Sequence, residues 1–357
     1  MGQQEGEHMA VSQMSAEERE RWLRLYALAD KIDSLDPWQW MEGADCFGIS
    51  VAGWDEPWFV VFGGKSNEFR SVRFLQGWKP FYDLITRLAD PSKQVSTWLL
   101  EIRMIELLYV SKELLFPHEL PLLRTLKRKP GEACKTPVFR SIIPGYHPWL
   151  PESKERELLE IVLYQTFGMA MRVEENGMLL KARFPQEILL RKQDANGAWA
   201  DAWSPVKEVG DEEVEVRIES KRLQAVRSKP LKSITLQLDL VFTPLRLLPN
   251  GTRPQTAYVL LAVDARSGFI VAGDLLQATE GIGQMWSQIP ERLLQIFEKL
   301  GGCPTSIEIC SDRMANLLRP LGEYLPFKMV RREKLEMLES ARKHLSNYIT
   351  KPNGLSS

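Results

Sequence analysis

Long apolar runs are missing from this sequence. The stretch from Tyr258 to Val263 is among the longest, and it falls far short of the roughly 20 apolar residues that a membrane helix needs. The first residues, MGQQEGEHMAVSQMSAEERE, are polar and acidic, and Gly6 stands where an N-myristoylation pattern places Ser or Thr. No signal peptide, acyl anchor or membrane partner is therefore expected. Cysteine is scarce as well: Cys46, Cys134, Cys303 and Cys310 form no C-x-x-C pair, which removes zinc knuckles and redox motifs and makes reduced thiols and a cytoplasmic location the default. His8, His118, His147 and His344 are the only histidines, and no two stand four apart on a helix, so any metal site has to be built from carboxylates. An excess of charge is lacking too. Lys and Arg number 46 against 47 Asp and Glu, a net of −1, so no polybasic body advertises nucleic acid. Gly281-Ile282-Gly283 is too short for a phosphate-binding loop.

What the chain does have is length and pattern. Its 357 residues exceed what one hydrophobic core usually holds, which predicts two or three domains. Residues 1–14 read as a disordered tail. A capping box at Ser15 and Glu18 then opens a helix to about Lys31 or Asp33, with Trp22, Leu25, Tyr26, Ala29 and Ile32 at helical spacing. Strands are predicted at Cys46–Val51, Trp58–Phe62, Phe69–Phe74 and Met104–Val110, with a helix over Pro80–Leu88. Ser111 is placed to cap a helix that buries Leu114, Leu122, Leu123 and Leu126, and KRKPGEACK after it is a loop. Residues 15–135 thus read as an α+β domain.

Residues 136–230 read as a connector. It contains the proline- and aromatic-rich TPVFRSIIPGYHPWLPE, packed rather than solvated, a helix over Glu152–Met171, and a hairpin around Asn196-Gly197 between Ile188–Arg191 and Ala198–Trp203. Lys207–Lys229 is a charged linker or exposed helix.

From Ile234 the pattern sharpens. Ile234–Phe242 alternates strictly, Ala257–Val263 and Phe269–Leu275 flank a turn at Asp264–Gly268, and a helix with Ile289, Leu293, Ile296, Phe297 and Leu300 stops at Gly301-Gly302. Ser306–Cys310 is a fourth strand, Asp312 opens a helix bent or ended near Pro320, Phe327–Val330 is a fifth strand, and Glu333–Leu345 is the last helix. Residues 347–357 read as a flexible tail.

The order β-β-β-α-β-α-β-α, a mixed sheet, over residues 231–346 resembles the RNase H-like superfamily and, locally, integrase and transposase cores. LQLDLVF is similar to their first acidic strand, YVLLAVDARSGFIVAG to their central hairpin, and EICSDR to the end of their fourth strand. A second resemblance spans most of the chain: FRSIIPGYHPW, DCFGISV, VVFGG, LDLVF and VDARSGFIVA are similar to a bacterial family of two-domain proteins known only as domains of unknown function. It implies the layout and no activity. The expected fold class is an α+β N-terminal domain followed by an RNase H-like α/β C-terminal domain.

In active RNase H-like enzymes, carboxylates from the first strand, the fourth-strand end and a late helix hold two Mg²⁺ ions for phosphodiester chemistry. Here the resemblance points to Asp239 and Asp312, with Glu333 or Glu339 as the third ligand. In the last helix Leu335, Leu338, Ala341 and Leu345 face the core, so Glu336 projects outward while Glu333 and Glu339 sit at the edges of that stripe. Structural roles compete with the catalytic ones. Asp312 stands where a helix N-cap belongs, Asp239 suits an arginine partner or a solvated sheet face, and Asp264 and Asp274 suit a turn and a strand edge. Residues 231–357 carry 15 basic and 12 acidic side chains, a net of +3, which is sparse for phosphate-backbone binding. Arg331-Arg332-Lys334 with Arg342-Lys343 is the basic cluster of this domain and reads as a solvated helix surface. Trp38, Trp40, Trp54, Trp58 and Trp78 crowd the N-terminal part, where core packing is the commoner use and a binding groove the rarer one.

Two function classes follow. The first is a non-catalytic binding or scaffolding protein that keeps an RNase H-like fold, needs no cofactor and meets a protein partner. The alternative is a Mg²⁺-dependent nuclease or phosphodiesterase built on Asp239, Asp312 and Glu333 or Glu339, with nucleic acid as partner.

Overall fold

The computed structural model describes residues 14–43, 45–64, 70–89, 98–131, 136–210, 214–216, 218–247 and 253–350. Cys134 and nearly all of the two expected tails lie outside these residues; residues 347–350 belong to a helix rather than to a tail. The chain divides into two compact units, one holding the residues up to Pro144 together with Pro148–Gly210, the other Gly145–His147 and the residues from Asp211 onward.

In the first unit, α1 (Ala16–Leu35) starts at the predicted capping box. Ser15 Oγ accepts the Glu18 N–H at 3.1 Å and Glu18 Oε2 accepts that of Ser15 at 3.3 Å. Its five predicted core residues are all buried. There follow β1 (Phe47–Ser50), β2 (Trp58–Gly63), β3 (Arg70–Gln76), α2 (Trp78–Ala89) and β4 (Met104–Val110), each close to its predicted place. The helix expected from Ser111 is broken in two. A 3₁₀ turn at Lys112–Leu114 ends in extended backbone at Leu115, and α3 begins only at Glu119. Pro117 lacks an N–H and pushes Phe116 out of the helical region, so one continuous helix is not available.

The expected connector turns out to be part of the same sheet. Thr136–Ile142 is β5, paired with β4 along its whole length; α4 (Ser153–Glu175) follows, then the hairpin of β6 (Glu187–Gln193) and β7 (Trp199–Pro205). The seven strands lie in the order β5-β4-β3-β2-β1-β6-β7, antiparallel except where β1 meets β6. The boundary therefore falls near residue 210, not 135. Pro144, Pro148 and Pro151 come after β5, Pro137 sits near the start of this edge strand, and the strand carries Val138, Phe139 and Ile142 into the core. Helices cover both faces: α1 and α4 lie on one, against Val60, Phe62, Val72 and Phe74, and α2 on the other, against Phe59, Val61 and Leu75. That is why β2 reads as a continuous apolar run rather than an alternating one. Trp38, Trp58 and Trp78 are buried in these cores, and Trp54 is exposed.

Gly48 shows how tightly β1 and β6 meet. A Cβ at this position would lie 2.2 Å from Leu190 Cδ2 and 3.2 Å from the Phe59 ring, so only glycine fits without a shift. Between α1 and α4, Arg156 is buried; its guanidinium donates to the Pro151 carbonyl at 2.6 Å and to Glu18 at 2.9 Å.

In the second unit, α5 (Ser220–Arg227) occupies the charged segment and is held by the buried Val226 and by Arg222, which pairs with Glu291. The sheet comprises β8 (Lys232–Leu247), β9 (Gln255–Asp264), β10 (Ile270–Gln277), β11 (Pro304–Ile309) and β12 (Lys328–Arg331), in the order β10-β9-β8-β11-β12. β8, β9 and β10 form an antiparallel meander, while β11 runs parallel to both β8 and β12. α6 (Ile282–Ser287), α7 (Ile289–Leu300) and α8 (Asp312–Gly322) bury one face of the sheet, and α9 (Glu336–Thr350) packs over β8 and β9 on the other. α7 stops at Gly301, whose φ of +77° is the left-handed cap its sequence predicts. Gly145–His147 joins this unit: the Gly145 carbonyl accepts the Thr256 N–H at 2.9 Å, and the His147 N–H donates to Pro254 O at 2.9 Å. Gly145 has φ +90°, and a Cβ there would lie 2.4 Å from that of Ala278.

Candidate functional site

The strict alternation of β8 sends Leu236, Leu238 and Leu240 to the face covered by α7 and α8. It sends Gln237, Asp239 and Val241 to the face covered by α9. β11 does the same with Ile307 and Ile309 against Glu308 and Cys310. The parallel register sets Glu308 beside Gln237, so the polar residues of both strands meet under the start of α9.

There they form a satisfied network. Gln237 Nε2 donates to Glu308 Oε2 at 3.0 Å, and Arg332 donates to Glu308 Oε1 from Nε at 2.8 Å and from Nη2 at 2.6 Å. Gln237 Oε1 accepts the backbone N–H of Leu338 at 2.9 Å. α9 thus receives its N-terminal cap from a neighbouring strand. Burial works to raise the Glu308 carboxyl, but the hydrogen bonds from Gln237 and Arg332 outweigh it and hold the group below the ordinary carboxylate range.

One step along both strands lie Asp239 and Cys310. Burial, with the charges of Asp239 and Glu339 adding to it and Arg331 opposing, pushes the Cys310 thiol up to about 11. Asp239 is half-buried, and its Oδ1 accepts the Leu240 N–H at 2.9 Å. Asp312 is the first residue of α8 and not its cap. Ser311 takes that role, with Oγ accepting the Met314 N–H at 3.1 Å, and Asp312 is hydrogen-bonded to Arg331. Glu339, on α9, pairs with Lys334 at 3.6 Å.

Glu333 is not in the last helix. Its neighbour Arg332 extends the β12 pairing by donating its N–H to Ile309 O at 2.9 Å, and α9 begins only at Glu336. Glu333 and Glu336 are exposed. Asp264 and Asp274 keep local roles: Asp264 closes its turn by accepting from Arg266 N at 2.9 Å and Ser267 Oγ at 2.8 Å, and Asp274 sits on the edge strand. Among the described residues, no group of three or more His, Cys, Asp or Glu is placed to hold a metal ion.

The sequence pattern did not single out Glu308 and Gln237. The signal was present for Gln237, which shares a strand face with Asp239, and for Glu308, two residues before Cys310. The basic run 331–334 is exposed, as expected, but it lies at the end of β12 and before α9 rather than on a helix, and Arg331, Arg332 and Lys334 each meet a carboxylate.

Each unit has a concavity of its own among the described residues. In the first unit a groove of about 540 Å³ is lined by Leu28, Ile161, Tyr164 and Trp199. In the second unit a cavity of about 360 Å³ lies between the start of β10 and α7. Among the described residues no helix is long and apolar enough to cross a membrane.

No curated protein matches the sequence. Family models match both halves: residues 22–191 match DUF7309, a domain of unknown function, and residues 221–346 match DUF6930, another domain of unknown function. Apart from Gly145–His147, the first match lies in the first compact unit, and the second match lies in the second unit; this similarity to two domains of unknown function in tandem agrees with the expected two-domain layout.

Proposed function

We propose that the protein is a scaffold whose second unit keeps an RNase H-like fold as a non-catalytic binding domain. The fold assignment is supported by the sheet order, in which the first and fourth strands are neighbours and the second strand is antiparallel to the first. Fold alone never establishes activity. The observation that carries the non-catalytic reading is the pairing of the 331–334 cations with Asp312, Glu308 and Glu339, at the strand end where a two-metal enzyme needs carboxylates free to hold ions. A bacterial, cytoplasmic setting follows from the family resemblance and from the absence of paired cysteines.

One arrangement favours the alternative, a Mg²⁺-dependent phosphodiesterase: Asp239 and Glu339 both act on Cys310, so acids from β8 and α9 share one neighbourhood with the β11 end. Calorimetric titration of Mg²⁺ and Mn²⁺ into the full chain, beside an Asp239→Asn, Asp312→Asn double variant, separates the two. Absence of binding at millimolar metal is the expected result. Saturable binding that disappears in the variant overturns the non-catalytic reading and assigns the site to metal.

A further inference from the structure

The groove of about 540 Å³ in the first unit has the size of a small-molecule site, and its polar lining is one-sided. Its two acids are already taken. Arg21 Nη1 donates to Glu157 at 2.8 Å, and Arg24 holds both oxygens of Glu160 at 2.5 and 3.3 Å. Lys31, which α1 contributes to the same lining, has no ion pair among the described residues, so the groove keeps one uncompensated positive charge. Gln165 on α4 is only 6% exposed and also lines the groove. Its Oε1 accepts from Arg191 Nε at 2.5 Å. A guanidinium can only donate, so this bond fixes which way the amide points and leaves its NH₂ without a partner among the described residues. Gln193, on β6, repeats the pattern: its Oε1 accepts the Ala52 N–H at 3.4 Å, and its NH₂ has no partner among the described residues. A buried donor left unpaired is costly unless something that enters the groove accepts from it.

We propose that this groove binds a small organic acid with a flat apolar body, an aromatic carboxylate. Its oxygens accept from the Gln165 and Gln193 amides in the field of Lys31, and its ring lies on the apolar lining, where Tyr164 is 64% exposed and Trp199 stands directly across from Gln193 in the β6–β7 pairing. Other ligand classes fit less well. A cation would have to displace Arg21 or Arg24 from its carboxylate, and a wholly apolar molecule would leave the amide donors unpaired. The inference concerns the first unit alone and stands whether or not the carboxylate end of β8 and β11 binds metal.

Calorimetric titration of the full chain with indole-3-acetate tests it, beside the neutral indole-3-acetamide, which has the same ring and no charge. Saturable binding of the acid is expected, with the amide severalfold weaker. Gln165→Glu keeps the acceptor that Arg191 needs and turns the free donor into a carboxylate oxygen, so it weakens acid binding about tenfold or more while the circular dichroism spectrum stays unchanged. Lys31→Met, at an exposed side chain whose loss leaves folding intact, brings the acid's affinity down toward that of the amide. No saturable binding of the acid at millimolar concentration, equal binding of acid and amide, or acid binding indifferent to both substitutions each overturns the proposal.

Discussion

Gln237 caps a helix from a distant strand: its Oε1 accepts the backbone N–H of Leu338, 101 residues later in the chain, at 2.9 Å, while its Nε2 is bound to Glu308. One side chain therefore ties β8, β11 and α9 together. Leu335, Leu338 and Ala341 then bury the α9 stripe on Val241, Leu261 and Val263. The cap decides where the helix starts, and so places Glu339 on it and Glu333 before it.

Replacing this residue by Gln237→Ala removes a cap and leaves buried Glu308 short of one donor, a combined cost of about 2–4 kcal/mol. Hydrogen exchange of α9 amides should rise accordingly, with the first unit's amides unchanged. Unchanged protection of α9 would show that the network contributes nothing to its docking.

The Glu308 carboxyl is depressed in the folded state, so its contribution to stability is fully present above its unfolded pKa of about 4.3. That contribution is lost as pH falls through the lower folded value. Unfolding midpoints followed by α9 exchange between neutral and acid pH should show this loss. Glu308→Gln should flatten that part of the profile, because it no longer titrates; a profile identical to that of the unmutated chain would refute the assignment.

Arg156 is buried between α1 and α4, where burial lowers its pKa and Glu18 opposes that shift. Arg156→Ala strands the Pro151 carbonyl and opens a gap beside Trp22, at a cost of about 2–4 kcal/mol. Urea denaturation followed by tryptophan fluorescence should show a lower midpoint. Glu18→Gln, at a side chain that is itself 42% exposed, should cost about 1 kcal/mol or less.

Gly48→Ala drives a methyl group into Leu190 and the Phe59 ring, and overpacking of this kind costs about 1–3 kcal/mol. Adding Leu190→Ala removes the clashing Cδ2 atom. The double variant should then be more stable than the sum of the single changes predicts, a coupling a double-mutant cycle measures. Additive effects would place the strain elsewhere.

Much of the fold was legible because local periodicity is physical. α1 declared its start by Ser15 and Glu18 and its buried face by Trp22, Leu25 and Tyr26; the strand and helix order after Ile234 followed from alternation and from the Gly301 stop. β5 was misread because its strand pattern is short and is followed by prolines, and nothing local says that Thr136–Ile142 pairs with β4. The candidate site was legible only in part. Asp239 and the end of β11 do lie on neighbouring strands, but the ion pairs made by Arg331, Arg332 and Lys334 join residues brought together by chain crossings. The sequence by itself determined the elements and their buried faces, because a helix stripe or strand alternation is written within a dozen residues. Only the tertiary structure decided that Gln237 begins α9, that Arg331 meets Asp312 and that β10 is left as an open edge, because each depends on which distant segments the packed core places side by side.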